Sequence, residues 1–364
     1  MLRDSTLGLI YTDREFNGSF NRGGGIDGRI RLSKDVISSF QGVASSTSNL
    51  DGTYQAGPAF EFDLAKNSHT INADLHCTGR SDGFRTRAGF DPQPDIHNVS
   101  EDVSYTFWPK KSKYVQDWGP EINSYFIRDH EGNWINWGTT PFFHVEFPRQ
   151  TRINIGYAEE AETLRPRDFN VLTRNIDFLR NTKLVQFSSA FFQQGSFSVD
   201  YRWGRRVNYA SAVGAPPYLA RRNSLDLEMT LHPVNRLQID NTYLLFRLSG
   251  VGTRAAAFND HIIRSKWNYQ FTRELAARVI LQYNALIRNP AWTSLPHAKN
   301  MNADFLISYL VHPGTAVYVG YNSNLQNLDR MLQLGPDANL LRTRNRFIND
   351  NREFFVKVSY LLRF

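Results

Sequence analysis

Residues 262–285 read IIRSKWNYQFTRELAARVILQYNA, and this stretch decides the fold class. On both sides of a polar turn at 272–274, apolar and polar side chains alternate. A period of two places successive side chains on opposite faces of a β-strand. The stretch therefore predicts two long strands, each with one apolar and one polar face. Its apolar face comprises Ile263, Trp267, Tyr269, Phe271, Leu275, Ala277, Val279, Leu281 and Tyr283.

The same alternation recurs from residue 7 to the end of the chain and predicts about eighteen strands. Several of them run for roughly 9–13 residues, whereas strands of soluble proteins are usually nearer 5–6. A strand that crosses a bilayer needs about 9–11 residues. We therefore predict an all-β chain: an antiparallel up-and-down transmembrane β-barrel domain that occupies residues 1–364.

The links between the predicted strands alternate in length. Links after even-numbered strands are short, apart from residues 109–119, and links after odd-numbered strands are mostly long. Outer-membrane barrels have short periplasmic turns and long extracellular loops. We expect the long links to be extracellular and those at 324–351, 158–181 and 205–223 to form the outer mouth. The long links are residues 13–24, 81–96, 158–181, 205–223, 287–299 and 324–351.

Composition excludes several other classes of protein. The chain contains 26 Phe, 16 Tyr and 7 Trp, too many for a disordered chain. No run approaches the roughly 18–20 apolar residues of a transmembrane helix, and a single cysteine, Cys77, excludes a disulfide framework. Residues 1–12 lack the pattern of a signal peptide. The net charge is +7, but its arginines form no dense run, so we expect no nucleic-acid partner.

Catalytic motifs are weak in this sequence. Residues 23–28 match G-x-G-x-x-G, but a strand pattern follows where a dinucleotide site needs a helix, so we expect a flexible loop. The nine histidines are dispersed, which argues against a metal site. We expect no enzyme activity, no cofactor and no metal. The alternative is a barrel-embedded hydrolase acting on glycan or lipid, which needs either a nucleophile beside a base or two paired carboxylates. Its candidate acids on polar faces are Asp63, Asp74, Glu146 and Asp304.

Two basic segments in the predicted extracellular loops are the candidate ligand contacts. Guanidinium groups bind phosphates and carboxylates through paired hydrogen bonds. Alternatively, these arginines pair with acids inside the barrel or with lipopolysaccharide phosphates. The candidate contacts are Arg165, Arg167, Asp168, Arg342, Arg344 and Arg346.

Several motifs also resemble a known family. They are TDREFNGSFNRGGGIDGR (12–29), GFRTRAGF (83–90), LRPRDF (164–169), HIIRSKWNYQFTREL (261–275), VHPGTAVYVGYNSNLQ (311–326) and FFVKVSYLLRF (354–364). The chain resembles, over essentially all of its length, an uncharacterised outer-membrane β-barrel domain family of Gram-negative bacteria. In that family the barrel usually follows a carbohydrate-binding module resembling family nine. The resemblance implies that this chain corresponds to the C-terminal part of such a protein and that further barrel strands precede it.

Pattern and resemblance together predict a bacterial outer-membrane protein. We expect it to act as a pore, or as the membrane anchor and conduit for glycan-related uptake or binding. The expected partners are outer-membrane lipid and lipopolysaccharide, an oligosaccharide or small anionic solute, and the barrel-assembly machinery.

Overall fold

The computed structural model describes residues 4–87, 89, 94–253, 255–327 and 348–361, and these contain eighteen β-strands. No helix in this described part is long and apolar enough to cross a membrane. The strands are β1 (Thr6–Phe16), β2 (Ser19–Arg31), β3 (Val36–Ser48), β4 (Tyr54–Asn67), β5 (Ile71–Arg80), β6 (Ile96–Tyr105), β7 (Asp117–Arg128), β8 (Trp134–Phe147), β9 (Thr151–Leu164), β10 (Ile176–Phe192), β11 (Gly195–Asn208), β12 (Tyr218–Val234), β13 (Leu237–Gly250), β14 (Ala256–Gln270), β15 (Leu275–Arg288), β16 (Ala298–His312), β17 (Thr315–Asn327) and β18 (Ile348–Tyr360).

The strands divide between two compact units, the first comprising residues 1–144 and 156–179 and the second residues 145–155 and 180–364. In the first unit, β1 to β7 pair antiparallel in chain order. In the second unit, β10 to β18 do the same. The predicted all-β, antiparallel up-and-down architecture is confirmed.

The register keeps apolar side chains on one face across successive strands. Val279 on β15 lies opposite Trp267 on β14 and Phe305 on β16. Trp267 and Phe305 are each 45% exposed, so this face is apolar without being buried. The neighbouring positions Arg278 and Lys266 project from the polar face. Strands with one apolar and one polar face match strands that separate lipid from water.

Side-chain exposure gives a measure of this arrangement on both faces. Trp267 and Phe305 on the apolar face are each 45% exposed, and Asp63 and His76 on the polar face are 30% and 33% exposed, so both faces of the strands are accessible. An accessible polar face removes the desolvation cost that its charges would otherwise carry.

The alternation has exceptions on the apolar face. Glu101 on β6 lies between Val99 and Val103 and is exposed. Ser124, opposite Glu101, exchanges a hydrogen bond of 3.1 Å with Thr139. On the second unit, the Ser265 hydroxyl donates to Asn241 at 2.7 Å. A hydrogen bond between two such side chains reduces the cost of placing them on an apolar surface.

The glycine-rich segment is a strand and not a loop. The predictions of a long link at 13–24 and a flexible loop at 23–28 were wrong, because β2 runs through both and its turn is Asn17 and Gly18. The glycines are required by close packing. A Cβ at Gly28 would lie 2.6 Å from the Phe40 ring, and one at Gly25 would lie 2.4 Å from the carbonyl oxygen of Gly42.

The remaining links agree in part with the predicted pattern. The link at 81–95 is long, and 106–116 is the long exception after an even strand. Three other links are shorter than predicted, because the strands on either side are longer. They are residues 165–175, 209–217 and 289–297. Most of the 324–351 link, with Arg342, Arg344 and Arg346, lies outside the described residues, as do Leu362 and Phe364.

Candidate functional site

The structure places Arg165 in an ion-pair cluster formed by the loops of the first unit. Arg165 is buried, with Nη1 at 3.6 Å from Asp129 Oδ2 and Nε at 2.9 Å from Asp168 Oδ2. Asp129 is also buried and accepts hydrogen bonds from the Asn133 backbone NH at 2.8 Å and side-chain amide at 3.1 Å. This buried ion pair ties the loop to Asp129, although Arg165 Nη1 makes no hydrogen bond within the described residues. The arrangement matches the alternative in which these arginines pair with acids of the protein.

Arg167 belongs to a neighbouring contact in the same unit. Its Nη1 lies 3.0 Å from Asp95 Oδ2, and the Nδ1 atom of His130 lies 3.0 Å from Asp95 Oδ1. The Asp95 backbone has a φ of 59°, a left-handed conformation that aspartate tolerates. Arg167 remains half-exposed, so solvent reaches its guanidinium more readily than that of the buried Arg165. Arg165 and Arg167 also approach the carboxylate of Asp168, at 2.9 Å and 3.9 Å, so the three predicted residues lie together.

Acid is expected to loosen this contact. Burial raises the pKa of the Asp95 carboxyl, hydrogen bonds from His130 and Arg167 lower it, and the resulting pKa lies below its usual value. A lowered folded-state pKa contributes stability that is fully present above the ordinary aspartate pKa of about 3.9 and is lost as the pH falls through the folded-state value. Hydrogen exchange of the His130 backbone NH, which donates to Asp95 at 3.2 Å, should accelerate as the pH falls below about 3.9, after correction for its intrinsic pH dependence. Asp95→Asn should abolish this acceleration, and a His130 amide that stays equally protected until the protein unfolds would contradict it.

A second group lies on the polar face of the β4–β5 hairpin. Glu61 and Asp63 are two residues apart on β4, and His76 on β5 lies directly opposite Asp63. His76 Nδ1 is 2.5 Å from Asp63 Oδ1 and 4.0 Å from Glu61 Oε1. The Ser39 hydroxyl lies 3.5 Å from Asp63 Oδ2. Because this hydroxyl faces the carboxylate and not the imidazole, these contacts do not form a nucleophile–base pair.

The candidate acids of the hydrolase alternative have separate partners. Asp63 belongs to the group just described, and Asp74 lies opposite Asp102 on β6. Glu146 lies 3.5 Å from Arg152, and Asp304 accepts a hydrogen bond from Asn322. These contacts assign no two of the four acids to one catalytic pair.

The polar face of the second unit contains a groove of about 280 Å³ lined by charged and amide side chains. Arg202 and the Gln186 amide both donate to Asp200 at 2.7 Å. Asp226 and Glu228 line the same groove. Charges of both signs thus lie close together on this face and remain partly exposed to water.

One end of the second unit is covered by its own loops. The carbonyl of Trp292 accepts hydrogen bonds from Tyr218 at 3.0 Å and Asn208 at 3.1 Å, and Thr293 donates to Ala210 at 2.6 Å. Phe246 packs nearby, beside a cluster of buried residues. The links at 209–217 and 289–297 therefore form a fixed structure, although the sequence pattern marked them only as loops.

The Phe246 ring is flanked by two guanidinium groups. Arg206 Cζ lies 5.8 Å and Arg222 Cζ 5.7 Å from the ring centroid. Strand alternation could have suggested this set, because all three occupy polar-face positions of β11, β12 and β13. The predicted ligand contacts omitted them, because the prediction searched the loops for basic runs.

No protein-family model matches this chain, and no curated protein matches it. Solved structures do match. The copper transporter OprC aligns with 98% of this chain and 75% of its own chain, at 12% identity and a TM-score of 0.50. The FrpB iron transporter of Neisseria meningitidis covers 99% of this chain at 11% identity and a TM-score of 0.49, and the present chain spans 66% of that protein. OccAB3 of Acinetobacter baumannii covers 99% of both chains, at 9% identity and a TM-score of 0.41.

These similarities concern the fold, since every identity is low. The strands, their two-faced pattern and the match to OprC agree with one another. The chain has the fold of bacterial outer-membrane β-barrel proteins.

Proposed function

We propose that this protein forms a water-filled pore that passes small polar solutes across the outer membrane. The observation that carries the proposal is the accessible, charged face opposite the apolar one. Asp200 and Arg202 of the second unit are 23% and 40% exposed, and Asp63 and His76 of the first unit are 30% and 33% exposed. Charges with this exposure are hydrated, and a hydrated face inside a barrel is a route for solutes.

Single-channel recording tests this function. The purified protein, folded in detergent and inserted into a planar bilayer, should produce steady, ohmic current steps in potassium chloride. Resistance to unfolding in electrophoresis without heating would establish that the barrel has formed. A folded barrel that inserts and stays silent would exclude the pore and favour a role as membrane anchor.

The charge of the first unit predicts the contribution of its polar face to ion selectivity. Acids outnumber arginines on its polar face, where the acids include Asp27, Glu61, Asp63, Asp74, Asp102 and Glu121 and the arginines include Arg29, Arg31 and Arg80. Fixed charges that line a channel enrich ions of the opposite sign.

Neutralising one of these acids should therefore change the reversal potential. In a potassium chloride gradient, Asp102→Asn is expected to shift the reversal potential toward that of chloride. Glu101→Gln is the matched control, because it removes the adjacent carboxylate from the opposite face. A shift for Glu101→Gln alone would reverse the assignment of the two faces. Equal shifts for both variants would contradict it.

We further propose that the solutes include acidic sugars. The support is the Phe246 ring between Arg206 and Arg222, together with the resemblance to a family whose barrel follows a carbohydrate-binding module. Guanidinium groups pair with a sugar carboxylate, while the aromatic ring contacts the apolar face of the sugar. Liposomes containing the protein should admit galacturonate dimers faster than neutral disaccharides of equal size. Arg222→Gln should remove this preference without abolishing ion conduction, and equal uptake rates in the wild type would exclude acidic-sugar preference.

A further inference from the structure

We propose that Glu61, Asp63 and His76 bind a divalent transition-metal ion on the polar face of the first unit. One ligand atom from each residue lies within 4.8 Å of the other two. The set offers one imidazole nitrogen and two carboxylates. Ligands of this kind suit zinc, copper, nickel and iron better than they suit calcium or magnesium. The site is separate from the pore proposal, because binding at this face requires access from water and no conduction.

Strand geometry explains why the three side chains converge. Glu61 and Asp63 are two positions apart on β4 and so share a face. His76 is the direct cross-strand partner of Asp63, and Thr78 is that of Glu61. Directly opposed residues have Cβ atoms about 4.5–5.5 Å apart. Each ligand therefore projects from a rigid, hydrogen-bonded pair of strands, which limits the entropy that a bound ion must overcome.

The present spacings need only small rotations to accept an ion. With metal–ligand bonds of about 2.0–2.2 Å in a tetrahedron, ligand atoms lie roughly 3.3–3.6 Å apart. His76 Nδ1 is 2.5 Å from Asp63 and 4.0 Å from Glu61, on either side of that range. The terminal torsions of carboxylates are soft, so both oxygens can move by the required distance. Side-chain exposures of 48%, 30% and 33% leave room for water to complete the coordination.

The surroundings also favour a cation. Ser39 and Gln41 on β3 lie opposite Asp63 and Glu61, and Ser100 on β6 lies opposite His76, so neighbouring strands contribute neutral oxygen-bearing side chains. Asp74 and Asp102 form the adjacent cross-strand pair and add negative charge. His76 Nδ1 lies within 4.0 Å of two carboxylates, those of Asp63 and Glu61, whereas a simple ion pair needs only one.

Copper(II) titration followed by electron paramagnetic resonance tests the site in the full chain, folded in detergent. We expect one strongly bound copper per chain with hyperfine coupling to one imidazole nitrogen. His76→Gln should remove that coupling and weaken binding by at least tenfold, and Asp63→Asn should weaken binding while retaining the nitrogen signal. Binding should also weaken as the pH falls, because the ligands must be deprotonated.

His69→Gln is the matched control, since His69 lies in the turn of the same hairpin and stacks on Trp108, 4.4 Å away between ring centroids. It should leave the copper spectrum and affinity unchanged. Folding of each variant is checked by electrophoretic mobility before and after heating. If folded His76→Gln and wild-type proteins give the same copper spectrum and affinity, or if the wild type binds no stoichiometric copper, the site does not exist. A silent pore with intact copper binding would overturn the proposed conduction and leave this site standing.

Discussion

Replacing Leu281 by arginine is expected to destabilise the protein folded in a bilayer by about 2–4 kcal/mol, because an arginine near the bilayer midplane must be desolvated. Leu281 lies at the centre of β15 on the apolar face and is 37% exposed. Its cross-strand neighbours Ser265 and Ala303 are small and offer no acid to pair with the new charge. Urea titration of folding into lipid vesicles, followed by tryptophan fluorescence, measures the difference.

The adjacent position provides the control for this substitution. Gln282 belongs to the polar face and donates to Asn284 at 3.1 Å. Gln282→Arg introduces the same side chain one residue away, on the hydrated face, and should cost less than about 1 kcal/mol. If Gln282→Arg were more destabilising than Leu281→Arg, the face that carries Leu281 would be the hydrated one, and the assignment of lipid-facing residues would be wrong.

Replacing Arg165 by methionine is expected to destabilise the loop at 165–175 by about 3 kcal/mol, because it leaves the carboxylate of Asp129 buried without its counter-charge. The side chain of Arg165 is 10% exposed and that of Asp129 is 6% exposed. Methionine preserves most of the apolar stem, so the loss reports the charge and its hydrogen bonds and not the packing. Limited proteolysis of residues 165–175 in the folded protein measures how often the loop opens.

Arg167→Met is the corresponding control in the same loop. Arg167 also pairs with an aspartate, but half of its side chain is exposed, and pairs of this kind contribute about 0–1 kcal/mol. Its variant should be cleaved at nearly the wild-type rate. Equal cleavage of the two variants would show that burial of Arg165 does not govern the loop. A ligand-induced change in the cleavage rate that is lost only in Arg167→Met would instead support Arg167 as a ligand contact.

The candidate sites could be predicted only in part. The sequence singled out Arg165, Arg167 and Asp168 as part of one basic loop segment, and in the structure the two arginines lie 2.9 Å and 3.9 Å from Asp168. Their partners Asp95 and Asp129 lie at least 36 positions away along the chain and no local pattern connects them. The dispersed histidines gave no reason to expect a metal site until the register placed His76 beside two carboxylates.

The sequence by itself determined that this protein consists of long two-faced strands, because side-chain alternation follows from the backbone geometry of each strand and needs no distant contact. That local property also predicted the apolar face and the polar face. Only the tertiary structure decided which side chains meet across strands, since register is set by contacts between segments far apart in the chain. The glycine-rich strand β2 shows the reason most clearly. Gly25 and Gly28 suggested a flexible loop locally, but their missing side chains make room for Gly42 and Phe40 of β3, and that packing keeps the segment extended.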